Sequence, residues 1–202
     1  MDFTKLQAQR RACASLSAKD DGVKVHVMGW IYDIRDLGKV RFAVLRDVTG
    51  EVQITAHKDK SDKKLFDSLG SISRESSVLI SGTVKKSDKA SNGREIVPDS
   101  FDVVGMAEAP LPIDTSDFSK TELPKRLDYR FLDMHRRRTQ AIFKIQSTIA
   151  RAFLNHFHEK GFIEMQPPCV IGAASEGGTD LFEVKYFEKK AYLAQSPQLY
   201  KQ

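Results

Sequence analysis

The sequence has 202 residues, 41% of them hydrophobic and 29% charged, with a formal net charge of +5 and a pI near 9.1. No apolar run approaches the ~20 residues that a membrane-spanning helix needs. Cys13 and Cys169 stand without neighbouring ligands, which argues against a disulfide framework or a zinc site and makes a reducing cytoplasm the expected home.

The first 21 residues read as an N-terminal extension. They lack the apolar core of a secretion signal, and Asp2 with Asp20-Asp21 sets them apart from an organelle transit peptide. From residue 22 to 106 the chain reads as short strands joined by turns. Val23, Val25 and Val27 alternate with polar neighbours, the period of a half-buried strand. Arg41–Leu45 and Val52–Ala56 follow, separated by the turn residues Asp47-Val48-Thr49-Gly50. Leu65, Phe66 and Leu69 take helical spacing between Ser61 and Leu69, then Val78–Ile80 and Glu95–Val104 resume the strand pattern around a polar loop. Five strands with a helix between the third and fourth predict an OB-fold barrel.

Ala109-Pro110-Leu111-Pro112 then breaks regular structure, and residues 107–136 read as a hinge. From 137 to 202 the pattern changes again. Arg138–Lys160 is a predicted helix with Ile142, Ile145, Ile149, Phe153 and Phe157 on one stripe, ended by Gly161. Phe162–Met165 is a predicted short strand stopped by Pro167-Pro168. Phe182–Tyr186 and Ala191–Ala194 are two more, joined by a Lys-rich turn. Ser196-Pro197 opens a last helix, with serine expected as its cap. The whole is of the α+β class, and this second block reads as the front part of an incomplete domain.

Several residues could carry chemistry. Phe42 and Gln53 fall on the second and third strands, which in an OB-fold face oligonucleotides, and Arg35 lies at the end of the first. The plainer reading makes Phe42 core and Gln53 a solvated strand residue. His135-Arg136-Arg137-Arg138 is either a solvated helix start or a phosphate site. Ser175-Glu176-Gly177-Gly178 is a turn or a lid, its glycines leaving φ free. Gln198 and Lys201 share one helix face three residues apart, lining a pocket or facing water. An acid for an α-ammonium and a lysine for a carboxylate together describe a site for an acidic amino acid.

The stretches GW at Gly29-Trp30, RDLGKVRF from Arg35, LRDVTGEVQ from Leu45, RLDYRFLD from Arg126, GFIEMQPP from Gly161, SEGGTDLF from Ser175 and QSPQLYKQ from Gln195 occur in a family's order. With them the chain resembles the first part of an aspartyl-tRNA synthetase of the archaeal and eukaryotic cytosolic kind, a class II enzyme. The resemblance implies an anticodon-binding OB-fold followed by the start of a catalytic domain built on an antiparallel sheet. It implies that Phe42 stacks on an anticodon base, while Arg35, Gln53 and Glu75 contact anticodon bases or backbone. Ser175, Glu176, Gly177, Gly178 and Thr179 would form the flipping loop, with Glu176 near the substrate ammonium, and Gln198 and Lys201 would bind L-aspartate. The helix stripe and the strand before Pro167 would form a homodimer interface. The implied partners are tRNA(Asp), aspartate and ATP, without a membrane; membership of a larger synthetase complex is left open. ATP and Mg2+ would be held by motifs beyond Gln202, so these residues alone are expected to be catalytically incompetent and to contain no metal site. Two other readings compete, an asparaginyl-tRNA synthetase and a non-catalytic tRNA-binding fragment. Lys201 favours aspartate over asparagine, because an ammonium only donates and suits a carboxylate better than a neutral amide.

Overall fold

A computed structural model describes residues 9–90, 92–173 and 180–202. The chain divides into two units, Met1–Pro112 and Ile113–Gln202.

The first unit is a closed five-stranded barrel. Strands β1 (Lys24–Asp36), β2 (Val40–Arg46), β3 (Glu51–His57), β4 (Ser77–Lys86) and β5 (Arg94–Gly105) close in the order β1-β2-β3-β5-β4. All neighbours are antiparallel except β3 and β5, which run parallel. Period-two alternation explains most of the interior: Val25, Val27, Ile31, Val52, Ile54, Val78, Ile80, Val84 and Ile96 are all buried, and most of their neighbours in sequence are more exposed, Leu79 and Thr55 being buried as well. The register of β1 shifts between Ile31 and Asp33, so the inward row passes from Ile31 to Ile34 and turns Asp33 and Arg35 outward. Gly29 is required where β1 crosses β2, because a Cβ there would collide with the Arg46 carbonyl.

Helix α1 (Lys63–Ser71) lies between β3 and β4. Asp62 caps it by accepting the Leu65 N–H at 3.1 Å, and Leu65, Phe66 and Leu69 bury one face in the barrel. The stretch before β1 also enters the core: Cys13 and Leu16 are buried with the barrel residues. Cys13 donates its N–H to Asp47 at 2.9 Å, and its carbonyl accepts from the Arg94 guanidinium at 2.7 Å. Burial pushes the Cys13 thiol up to about 12, reinforced by the Asp47 carboxylate.

In the second unit, α2 (Leu123–Asp128) and α3 (Arg130–Asp133) precede the long helix α4 (Arg137–Glu159). Asp133 is fully buried and gathers this junction. It accepts from Arg126 and Arg130, each at 2.6 Å, from Arg136 at 3.5 Å and from the Thr139 hydroxyl at 3.3 Å. Burial opposes ionisation here, but hydrogen bonding and charge from Arg126, the charge of Arg130 and the Thr139 hydroxyl outweigh it. Together they hold the carboxyl below its usual range. Neither reading of the His135–Arg138 cluster fits Arg136, which is buried and also reaches the Ser119 carbonyl at 3.5 Å.

Helix α4 ends where Gly161 adopts a left-handed φ of 81°, and the Phe162 N–H closes back on the Phe157 carbonyl at 3.0 Å. Its apolar stripe is open: Ile142, Ile145, Ile149 and Phe153 are 55, 60, 64 and 63% exposed. Strands β6 (Val170–Ile171), β7 (Glu183–Tyr186) and β8 (Lys189–Leu193) form an antiparallel sheet in the order β6-β8-β7. Three expectations need correction. Phe162–Met165 pairs with no strand among the described residues, and the short strand lies beyond the two prolines. The β7–β8 turn is Phe187-Glu188, with Phe187 at φ 51°, so Lys189 and Lys190 belong to β8. The last helix, α5 (Gln198–Lys201), has Pro197 at its cap position, although the Ser196 hydroxyl still accepts the Gln198 N–H at 3.2 Å.

Candidate nucleic-acid interface

The outward residues of four barrel strands make one concave face of about 670 Å³. Strand register explains its composition. Asp33 lies opposite Val44, Val44 opposite Gln53, and Gln53 beside Glu95, giving one row across β1, β2, β3 and β5. Arg35, Phe42 and Thr55 form the next row. Every one of these residues lines the face, and Lys89 and His57 join them at its margin. Arg35, Phe42 and Gln53, singled out in the sequence, are therefore brought together.

Their states differ. Phe42 is half-buried, leaving part of its ring open. The Arg35 side chain is 78% exposed and only 3.9 Å from Asp33, a loose pairing that leaves its guanidinium available to a phosphate or base. Asp33 is engaged more tightly by Arg74, at 2.5 Å. The Gln53 amide nitrogen donates to Glu95 at 2.9 Å, and the Thr55 hydroxyl donates to the same Glu95 oxygen at 2.7 Å. An aromatic ring, an exposed cation and a polar row on one concave surface suit a single-stranded nucleic acid: such a ring can stack a base, the cation can meet the backbone, and the amide and carboxylate can meet a base edge.

Glu75 stands apart. It sits between α1 and β4 with a left-handed φ of 65°, is 8% exposed, and ties its N–H to the Ile31 carbonyl at 2.7 Å. It does not line the concave face. Glu95 takes the acidic place there, and the sequence held only one weak signal for it, its polar character at the start of a strand.

Residues 25–104 match the family described as OB-fold nucleic acid binding domain, and residues 122–202 match tRNA synthetases class II (D, K and N). The block from residue 122 to 202 belongs to the class II tRNA synthetases of the D, K and N group. An aspartate–tRNA(Asp/Asn) ligase from Methanospirillum hungatei is 47% identical over 90% of this chain and 42% of its own length. An aspartate–tRNA(Asp) ligase from Thermococcus kodakarensis is 48% identical over the same shares. Among solved structures, asparaginyl-tRNA synthetase from Pyrococcus horikoshii with asparaginyl-adenylate superposes with a TM-score of 0.85 at 33% identity, over 95% of this chain and 44% of that one. The chain thus spans less than half the length of the relatives it matches.

In this class II synthetase block, Gln198 and Lys201 sit on α5 with both side chains exposed. Residues 175–179, including Glu176, lie outside the described residues. Among the described residues no three His, Cys, Asp or Glu side chains converge on a point that could hold a metal ion. Among the described residues no helix is long and apolar enough to cross a membrane.

Proposed function

We propose that this chain carries the anticodon-binding face and part of the amino-acid site of an aspartate–tRNA ligase, acting in the cytoplasm. The observation that carries the reading is the convergence of Arg35, Phe42, Gln53 and Glu95 on the concave barrel face. Phe42 stacks an anticodon base, Gln53 and Glu95 meet base edges, and Arg35 holds the backbone of tRNA(Asp). On α5, Lys201 pairs with the side-chain carboxylate of L-aspartate and Gln198 orients it, while Glu176 on the Ser175–Thr179 loop meets the α-ammonium. The open face of α4 meets a second copy to form a homodimer.

The ligation consumes ATP, with Mg2+ neutralising charge on its phosphates when bound. Among the described residues no group of His, Cys, Asp or Glu side chains fits that metal. The asparaginyl enzyme of P. horikoshii shares the architecture, yet Lys201 offers a charge that a carboxamide cannot use and a carboxylate can. That favours aspartate.

The test is binding of the 202-residue chain to a synthetic RNA hairpin carrying an aspartate anticodon, in competition with a hairpin of scrambled loop. Preference for the anticodon loop supports the reading. Equal affinity for both loops overturns it.

A further inference from the structure

Three side chains on β3 and β5 are tied together in one direction. The Thr55 hydroxyl stands 2.7 Å from Glu95 Oε2, and Gln53 Nε2 stands 2.9 Å from the same oxygen and 3.2 Å from Thr55 Oγ1. A carboxylate only accepts hydrogen bonds, so both groups that face it must donate. Thr55 commits its single proton to Glu95, which leaves its oxygen able to meet Gln53 only as an acceptor. The amide of Gln53 is therefore held with its NH2 group turned inward. Its other end, Oε1, makes no hydrogen bond among the described residues, and neither does Glu95 Oε1. Thr55 itself is 2% exposed and offers a ligand almost no surface.

We propose that Thr55 is a positioning residue for base discrimination, its buried hydroxyl fixing Gln53 and Glu95 so that the face beside Phe42 presents acceptors and selects a base edge rich in N–H donors. The proposal rests on the reading of this face as an RNA surface. Guanine presents N1–H and its N2 amino group side by side on its pairing edge, which matches two acceptors; adenine places a lone pair at N1, which two fixed acceptors repel. Without the hydroxyl, Glu95 loses one of its two donors and Gln53 Nε2 one of its two acceptors, so a single Gln53–Glu95 bond is left to hold the pair.

The experiment measures hairpin binding by the full chain at fixed salt. It uses the aspartate-anticodon hairpin and the same hairpin with each anticodon base replaced in turn by adenine; the readout is the largest ratio of affinities. Thr55→Val keeps shape and removes the hydroxyl, and should lower that ratio about tenfold, the size of one buried hydrogen bond. Its salt dependence should not change, because phosphate contacts are untouched. Thr55→Ser restores the hydroxyl and should restore the ratio. Glu95→Gln, which lets either amide turn, should lose the ratio as well and serves as the second variant if Thr55→Val does not fold. A Thr55→Val protein that keeps the ratio, or weakens on every hairpin alike, overturns the positioning role while leaving the RNA reading intact. A wild-type chain that binds none of the hairpins overturns that reading and this proposal with it.

Discussion

Phe42 offers the most direct test of the concave face. It occupies the middle of the row Arg35, Phe42, Thr55 and is only half-buried. Alanine there removes a stacking surface worth about 1–3 kcal/mol per base, so hairpin affinity should fall about 5- to 160-fold. The substitution also removes packing. A fully buried Phe→Ala change costs about 3–5 kcal/mol, and a half-exposed ring loses less than that, so the barrel should remain folded. Phe42→Leu separates the two effects, since leucine restores most of the apolar volume without a π face. Anisotropy titration with the aspartate-anticodon hairpin, at one salt concentration, should show both variants weakened to a similar degree, with thermal melting shifted mainly for alanine. Wild-type affinity in Phe42→Ala would refute the stacking role. Full recovery in Phe42→Leu would show that the ring acts only through packing.

Three further substitutions have defined outcomes. Asp133→Asn removes the one carboxylate shared by Arg126, Arg130 and Arg136 and leaves buried Arg136 poorly paired, so stability should fall by about 3–5 kcal/mol in denaturant titration. Because the folded Asp133 is held below its unfolded pKa, its contribution is complete above the unfolded carboxylate range and is lost as pH falls through the folded value; the stability gap between wild type and Asp133→Asn should therefore close on acidification below about pH 4. Ile149→Glu places a charge on the open stripe of α4, so sedimentation of a protein carrying this chain with the remaining length of its relatives should show monomer or aggregate in place of dimer. Lys201→Leu in the same protein should cut aspartate-dependent pyrophosphate exchange by about 2–5 kcal/mol of transition-state binding, and asparagine should lose far less.

Much of the barrel was legible because its cause is local. Val25, Val27, Val52 and Ile54 advertise a buried face by alternation, and Leu65, Phe66 and Leu69 announce a helix by spacing. What was not legible was decided by tertiary placement rather than by local pattern. Nothing near Glu95 says that it will lie beside Gln53, because that pairing is a parallel contact across 42 residues. Glu75 looks no different as a letter, yet it takes a left-handed, nearly buried position and is not among the residues lining the face. The apolar letters of Phe162–Met165 suggest a strand, yet a strand requires a neighbour, and none of the described residues supplies one. Arg136 reads as part of a charged run until Asp133, three residues earlier, is seen to bury it.

The small segment around Cys13 has a consequence for how the barrel is made. Its backbone is clasped by Asp47 on one side and Arg94 on the other. A chain emerging from the ribosome exposes Cys13 and Leu16 first, but the second half of their clasp does not exist until β5 has been synthesised. Residues that leave the exit tunnel ahead of the barrel strands are thus among the last of this unit that can be buried. Until then the barrel lacks the strand that joins β3 to β4, and the interior lined by Val52 and Ile54 stays open along that seam.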